Sequence, residues 1–142
     1  MALIADTGAL YALYDASDRR HRDVRRAVQL ERGPIIIPAA IVAELDYLLR
    51  AFLGIEAELD WLDGLLSGAY ALEPLARTDL LRCRELIARY RNLDLGLADA
   101  AVVATAERLD IHRILTLDER HFRAVRPKGG RSFLLLPADA DE

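Results

Sequence analysis

Short, wholly apolar runs alternate with longer stretches of helical periodicity along this chain. Ala2-Leu3-Ile4-Ala5 has no polar face and reads as a short buried strand. Leu10, Leu13 and Tyr14 then recur at helical spacing and predict a helix over 7–14. After the capping residues of Asp15-Ala16-Ser17-Asp18, a polar helix is predicted over about 19–31, with Val24, Ala27 and Val28 turned inward. Pro34-Ile35-Ile36-Ile37 predicts a second strand, because three β-branched residues between prolines favour extension. Pro38 opens a long helix to about Phe52, and Gly54 stops it. The pattern continues with a helix over 56–66, a strand over 69–72, an amphipathic helix over 76–91 and an apolar helix over 97–109. A strand over about 113–116, a helical turn over 119–123 and a strand over 132–136 complete it.

Strands that alternate with helices predict an α/β fold, with a mostly parallel central sheet of four to five strands flanked by helices on both faces. The 142 residues suit one domain and one core, and 53% hydrophobic content is enough to fill it. That domain is expected to span 1–137, with 138–142 as a loose tail. No apolar stretch approaches the roughly 20 residues needed to span a membrane. The start lacks a basic leader, and Cys83 is the sole cysteine, read as a small packing residue. A cytoplasmic protein is expected, with no membrane partner.

The most informative feature is where four acids fall. Asp6 and Asp118 each end an apolar run, at the carboxyl edge of the predicted sheet, where open α/β folds collect ligands. Asp99 sits between Leu97-Ala98 and Ala100-Ala101-Val102-Val103, in a predicted first helical turn where the helix dipole favours negative charge. Glu44 has Ile41, Val42, Leu45 and Leu48 around it. Taken singly, each acid can be read as a helix cap or a solvated residue. Gathered together they would repel, and a divalent cation bound through oxygen removes that conflict. Thr7 and Thr116 flank the strand-end acids, and Thr7 is the favoured supporting hydroxyl. Asp94 either caps the helix beginning near Gly96 or reaches the ion.

The formal net charge of −4 hides a pattern: Lys128 is the only lysine among 19 basic residues. Five arginines crowd into the stretch from Arg19 to Arg26, and Arg120, Arg123, Arg126, Lys128 and Arg131 follow Asp118. Arginine pairs phosphate oxygens in a planar fork, so these groups are candidate contacts to a nucleic-acid backbone or plain solvated faces. His21, His112 and His121 lack zinc-site spacing; His121, near Asp118, is a candidate substrate contact, with a surface or packing role favoured.

These positions resemble the PIN-domain family of metal-dependent ribonucleases, and most closely the toxin half of VapBC-type toxin–antitoxin modules. An apolar strand followed by Asp-Thr/Ser-x-x-Leu appears as Ile4-Ala5-Asp6-Thr7-Gly8-Ala9-Leu10. A proline precedes the second acid, as from Pro38 to Glu44. Leu-x-Asp-Ala appears as Leu97-Ala98-Asp99-Ala100. Thr-x-Asp-x-x-Phe appears as Thr116-Leu117-Asp118 through Phe122, with Phe one residue late. The resemblance implies a three-layer PIN-like fold and an endoribonuclease in which Asp6, Glu44, Asp99 and Asp118 hold Mg²⁺ or Mn²⁺. The ion would activate a water for attack on the RNA phosphodiester. Arg120, Arg123, Arg126 and Lys128 would hold the RNA. The implied partners are a VapB-type antitoxin and a second copy of the chain. A nuclease of the same fold acting in RNA maturation, or a non-catalytic binding module, are the alternatives. A phosphotransfer receiver would need a lysine ending a late strand, and an aspartate-based phosphatase would need an acid where Gly8 stands.

Overall fold

The structure, a computed structural model, describes residues 1–140. Within them the strands are β1 (Leu3–Ala5), β2 (Ile35–Pro38), β3 (Ala71–Glu73), β4 (Arg113–Leu115) and β5 (Leu134–Leu136). The helices are α1 (Thr7–Tyr14), α2 (His21–Leu30), α3 (Ala39–Leu53), α4 (Ile55–Ser67), α5 (Arg77–Arg89), α6 (Leu97–Leu109) and α7 (Glu119–Ala124), with a 3-10 turn at Arg91–Leu93. The five strands form one sheet in the order β3-β2-β1-β4-β5, and every pairing is parallel.

Successive strand residues point to opposite faces, yet every residue of β1 and β2 is buried. Helices therefore cover both faces of the sheet centre, as an all-parallel sheet requires. The edge strand β3 is different: Ala71 and Leu72 are exposed. Helix α6 is buried continuously from Ala100 to Ala106 and packs against β1, β2, α3 and α5. Its run of Ala and Val allows that close approach, and a helix apolar all round belongs inside.

Chain order sets the position of the crevice. From β1 the chain moves outward through β2 to β3. It then returns to place β4 on the other side of β1, with β5 beyond. The connections from β1 and β4 thus leave in opposite directions, and the crevice opens at the carboxyl ends of these two neighbours. The register pairs Ile4 with Ile114 and Ala5 with Leu115, so Asp6 and Thr116 emerge side by side.

The differences from the predicted pattern are local. Helix α5 stops at Arg89, where the chain tightens into the 3-10 turn, and β5 starts at Leu134. Asp94 does not cap α6: it adopts a left-handed conformation with φ 54°, and Gly96 occupies the N-cap. The tail expected to be loose is tied down where it can be followed. The Asp139 carboxylate accepts the Leu135 N–H at 2.8 Å and receives the Arg123 guanidinium at 2.7 Å, which fixes the turn over 137–140. Asp141 and Glu142 lie outside the described residues. Among the described residues no helix is long and apolar enough to cross a membrane.

Candidate active site

Asp6 leaves β1 into a nearly dry position, 5% exposed. A charged group there needs partners. Thr116, leaving β4, donates its hydroxyl to Asp6 Oδ2 at 2.9 Å, while its Oγ1 accepts the Asp118 N–H at 2.9 Å. One threonine thus fixes both strand-end acids. Asp118 in turn caps α7, its Oδ1 accepting the His121 N–H at 3.0 Å. Asp99 arrives from the first turn of α6, and Glu44 reaches in from α3. All four acids line one open groove of about 540 Å³, together with Thr7, Gly8, Leu48, Leu117, Glu119 and Arg120.

The electrostatics of this groove are strained. Burial pushes the Asp6 carboxyl up to about 7, and the Asp99 and Asp118 charges add to the rise against the bonds from Thr116 and Thr7. Burial also raises Asp99; the His121 ring opposes this, while Asp118 and Glu44 reinforce it. Among the described residues no Arg or Lys side chain forms an ion pair with any of the four acids. Among the described residues the one basic side chain paired with them is the His121 imidazole, whose Nδ1 lies 2.8 Å from Asp118 Oδ2 and 3.3 Å from Asp99 Oδ2. Asp99, Asp118 and His121 offer three ligand atoms within 4.8 Å of one another, a donor set that suits a divalent ion. The Thr7 hydroxyl is buried without a hydrogen-bond partner, a further mark of a place shaped for a group besides protein.

The sequence-predicted residues divide clearly. Asp6, Glu44, Asp99, Asp118 and Thr7 line the groove, and Thr116 buttresses it from behind. Glu44 is exposed on the groove wall and not held within an apolar face, because α3 buries the Ile41, Leu45 and Leu49 side instead. Thr7 is the expected supporting hydroxyl, yet Thr116 makes both bonds. Asp94 is exposed and outside the groove lining.

Of the four basic residues expected to hold RNA, Arg120 alone lines the groove. The Arg123 guanidinium is engaged by Glu119 at 2.8 Å and Asp139 at 2.7 Å. Lys128 belongs to the opposite end of α6, its N–H donating to Glu107 at 2.7 Å. Arg126 is exposed and anchored through its own N–H to the Tyr90 hydroxyl at 2.9 Å. His121, for which a surface or packing role is favoured by the sequence, stands among the acids. Its position three residues after a capping Asp was the available signal, since a cap bond to the third helical N–H brings that residue back over the cap. Cys83 is buried, as expected of a packing residue.

A match to the PIN domain family covers residues 3–127, so the chain belongs to the PIN-domain family. Among individual proteins it is 37% identical to Ribonuclease VapC26 of Mycobacterium tuberculosis over 135 residues, which is 95% of this chain and 100% of that one. The crystal structure of Mycobacterium tuberculosis VapC20, a toxin that cleaves the sarcin–ricin loop, superposes with a TM-score of 0.78 at 20% identity, over 83% of this chain and 91% of that one. A toxin–antitoxin complex from Klebsiella pneumoniae has a TM-score of 0.68 at 21% identity, over 88% and 92%. VapBC2 of Rickettsia felis, bound to a DNA fragment from its promoter, has a TM-score of 0.67 at 15% identity, over 95% and 97%. At these identities the solved structures speak for the shared fold.

Proposed function

We propose that this chain is a divalent-metal-dependent endoribonuclease and the toxin of a VapBC-type toxin–antitoxin pair. One observation carries the reading. Four carboxylates from four separate elements line one groove, none of them ion-paired with an Arg or Lys among the described residues, in a chain 37% identical to a ribonuclease across that protein's full length. Residues 1–137 act as one domain in this reading.

Asp6, Asp99, Asp118 and Glu44 would hold the ion, Mg²⁺ or Mn²⁺. When bound it offsets the acids' repulsion and the charge that develops on a phosphodiester, and it makes water a competent nucleophile near neutral pH. The chain's own residues do the rest. Thr116 holds Asp6 and Asp118 at a fixed separation. Arg120, exposed on the rim, can pair a phosphate of the RNA backbone. The groove is open, which suits a single-stranded or looped RNA whose bases are splayed.

The partner in this reading is a small antitoxin whose segment covers the groove. Structural neighbours that are toxin–antitoxin complexes support it. So does the apolar surface of α3 and α4, where Tyr47, Phe52, Leu59 and Leu66 are exposed. A homodimer through the same helices would use that surface as well.

The test is cleavage of a synthetic single-stranded RNA by the purified chain. Cleavage with Mn²⁺ or Mg²⁺, its loss in EDTA and its loss in Asp6→Asn are expected. Equal cleavage by Asp6→Asn, or cleavage unaffected by EDTA, would end the proposal. Co-expression with the gene product encoded beside it should yield a complex by gel filtration and suppress cleavage.

A further inference from the structure

We propose that His121 contributes a nitrogen ligand to the ion of this groove, so that the site favours Mn²⁺ over Mg²⁺. The inference rests on the reading above that the groove holds a divalent ion. It goes beyond that reading because it adds a donor that is not a carboxylate.

The argument begins with the ring's other nitrogen. His121 Nε2 lies 2.7 Å from the Leu93 carbonyl oxygen. A carbonyl can only accept, so Nε2 carries a hydrogen. Nδ1 is therefore the ring atom turned toward the acids, 2.8 Å from Asp118 Oδ2 and 3.3 Å from Asp99 Oδ2. These three ligand atoms lie within 4.8 Å of one another, close enough for one ion, whose binding would displace any proton on Nδ1. A histidine whose far N–H is held by a backbone carbonyl, leaving the near nitrogen free, is the arrangement that orients metal-ligating imidazoles.

The ring is also held where such a ligand must be. Its backbone N–H is pinned by the Asp118 cap at 3.0 Å, and its far nitrogen is pinned by the turn that precedes α6. The two elements that carry Asp118 and Asp99 are thus clamped together by this imidazole. The Thr7 hydroxyl, which lines the groove on a residue 5% exposed, is buried without a hydrogen-bond partner. A buried, unpartnered polar atom beside these ligand atoms indicates a missing third party.

The metal preference follows from donor chemistry. Mg²⁺ favours oxygen donors, keeps most of its waters and tolerates little departure from an octahedron. Imidazole nitrogen suits the transition ions, and among these Mn²⁺ also accepts carboxylate oxygens.

The experiment titrates Mn²⁺ into the full chain and reads it by pulsed electron paramagnetic resonance. A ¹⁴N coupling to Mn²⁺ is expected, replaced by a ¹⁵N coupling when histidine is isotopically labelled, with no mutation needed. In His121→Gln the coupling should vanish, and Mn²⁺ affinity by calorimetry should fall about 10–100-fold. Mg²⁺ affinity should change less than about 3-fold. Mn²⁺ bound without nitrogen coupling would overturn the inference and leave the ribonuclease reading standing, and so would unchanged Mn²⁺ affinity in His121→Gln. If Mn²⁺ does not bind and RNA is not cut, both fall.

Discussion

Helix α6 carries charged groups at both ends, and the two ends are handled in opposite ways. At its C-terminal end Glu107 receives Arg82 through two bonds of 2.7 and 2.9 Å. Arg108 grips Asp79 through 2.9 and 3.1 Å and reaches Glu73 at 2.7 Å. These are bidentate pairs, in which each carboxylate meets a matched planar fork. At the N-terminal end Asp99 joins Asp6, Asp118 and Glu44, and among the described residues no arginine is paired with any of them. The carboxyls record the contrast. Burial resists ionisation of Asp79, yet the Arg108 bonds and the Ala76 N–H win and hold it below its usual value. Burial raises Asp6 to about 7, with nothing positive to oppose it. One end of the helix is electrostatically closed and structural. The other is left open, at a cost in stability, where an external cation and a phosphate can enter.

The sharpest way to break this comparison is to neutralise the open end. Asp99→Asn should lower metal-dependent RNA cleavage by more than about 100-fold, since outer-shell partners alone are worth about 10–100-fold. Its melting temperature without metal should hold or rise, as repulsion is relieved. A cleavage assay beside a thermal melt reads both, and a large loss of stability with intact activity would invert the assignment.

The next effect comes from pH. In the folded chain Asp6 keeps its proton up to about 7, whereas an ordinary aspartate loses it near 3.8. Between those values the folded chain binds the extra proton, so metal-free stability falls as pH rises from about 4 through 7. The loss is on the order of 4 kcal/mol, and saturating Mn²⁺ should offset it above pH 7. Urea unfolding in EDTA at pH 5 and pH 8 tests the sign, and a metal-free protein more stable at pH 8 would contradict it.

Breaking the closed end should do the reverse of Asp99→Asn. Arg108→Ala strands the nearly buried Asp79 and should cost about 2 kcal/mol, read by urea unfolding. Cleavage per folded molecule should stay unchanged.

Two smaller changes sharpen the open end. Thr116→Val removes the bonds to Asp6 and to the Asp118 N–H. It should lower kcat about 10-fold with little change in KM. Arg120→Ala should raise KM about 3-fold and reduce the salt dependence of RNA binding by about one ion, with kcat nearly kept.

Much of this design was legible in the chain, and the places where reading failed share a cause. The strand and helix pattern was readable because continuous apolar runs and period-3.6 burial are written in neighbouring residues, as Leu3–Ala5 and the inward Val24, Ala27 and Val28 of α2 illustrate. The convergence of Asp6 and Asp118 was readable because both end apolar strands, and a parallel sheet brings strand ends to one edge. The misplacement of Arg123 and Lys128 was not avoidable in the same way. Their positions depend on Asp139 and Glu107, acids that looked like tail and ordinary helix surface.

The sequence by itself determined an α/β chain whose acids collect at one sheet edge, since local periodicity and strand polarity suffice for that. Only the tertiary structure decided which partners serve those acids. The hydroxyl that braces Asp6 belongs to a residue 110 positions away, and the carbonyl that orients His121 lies 28 positions away. Contacts at such separations follow from strand order and helix packing, which no local pattern records.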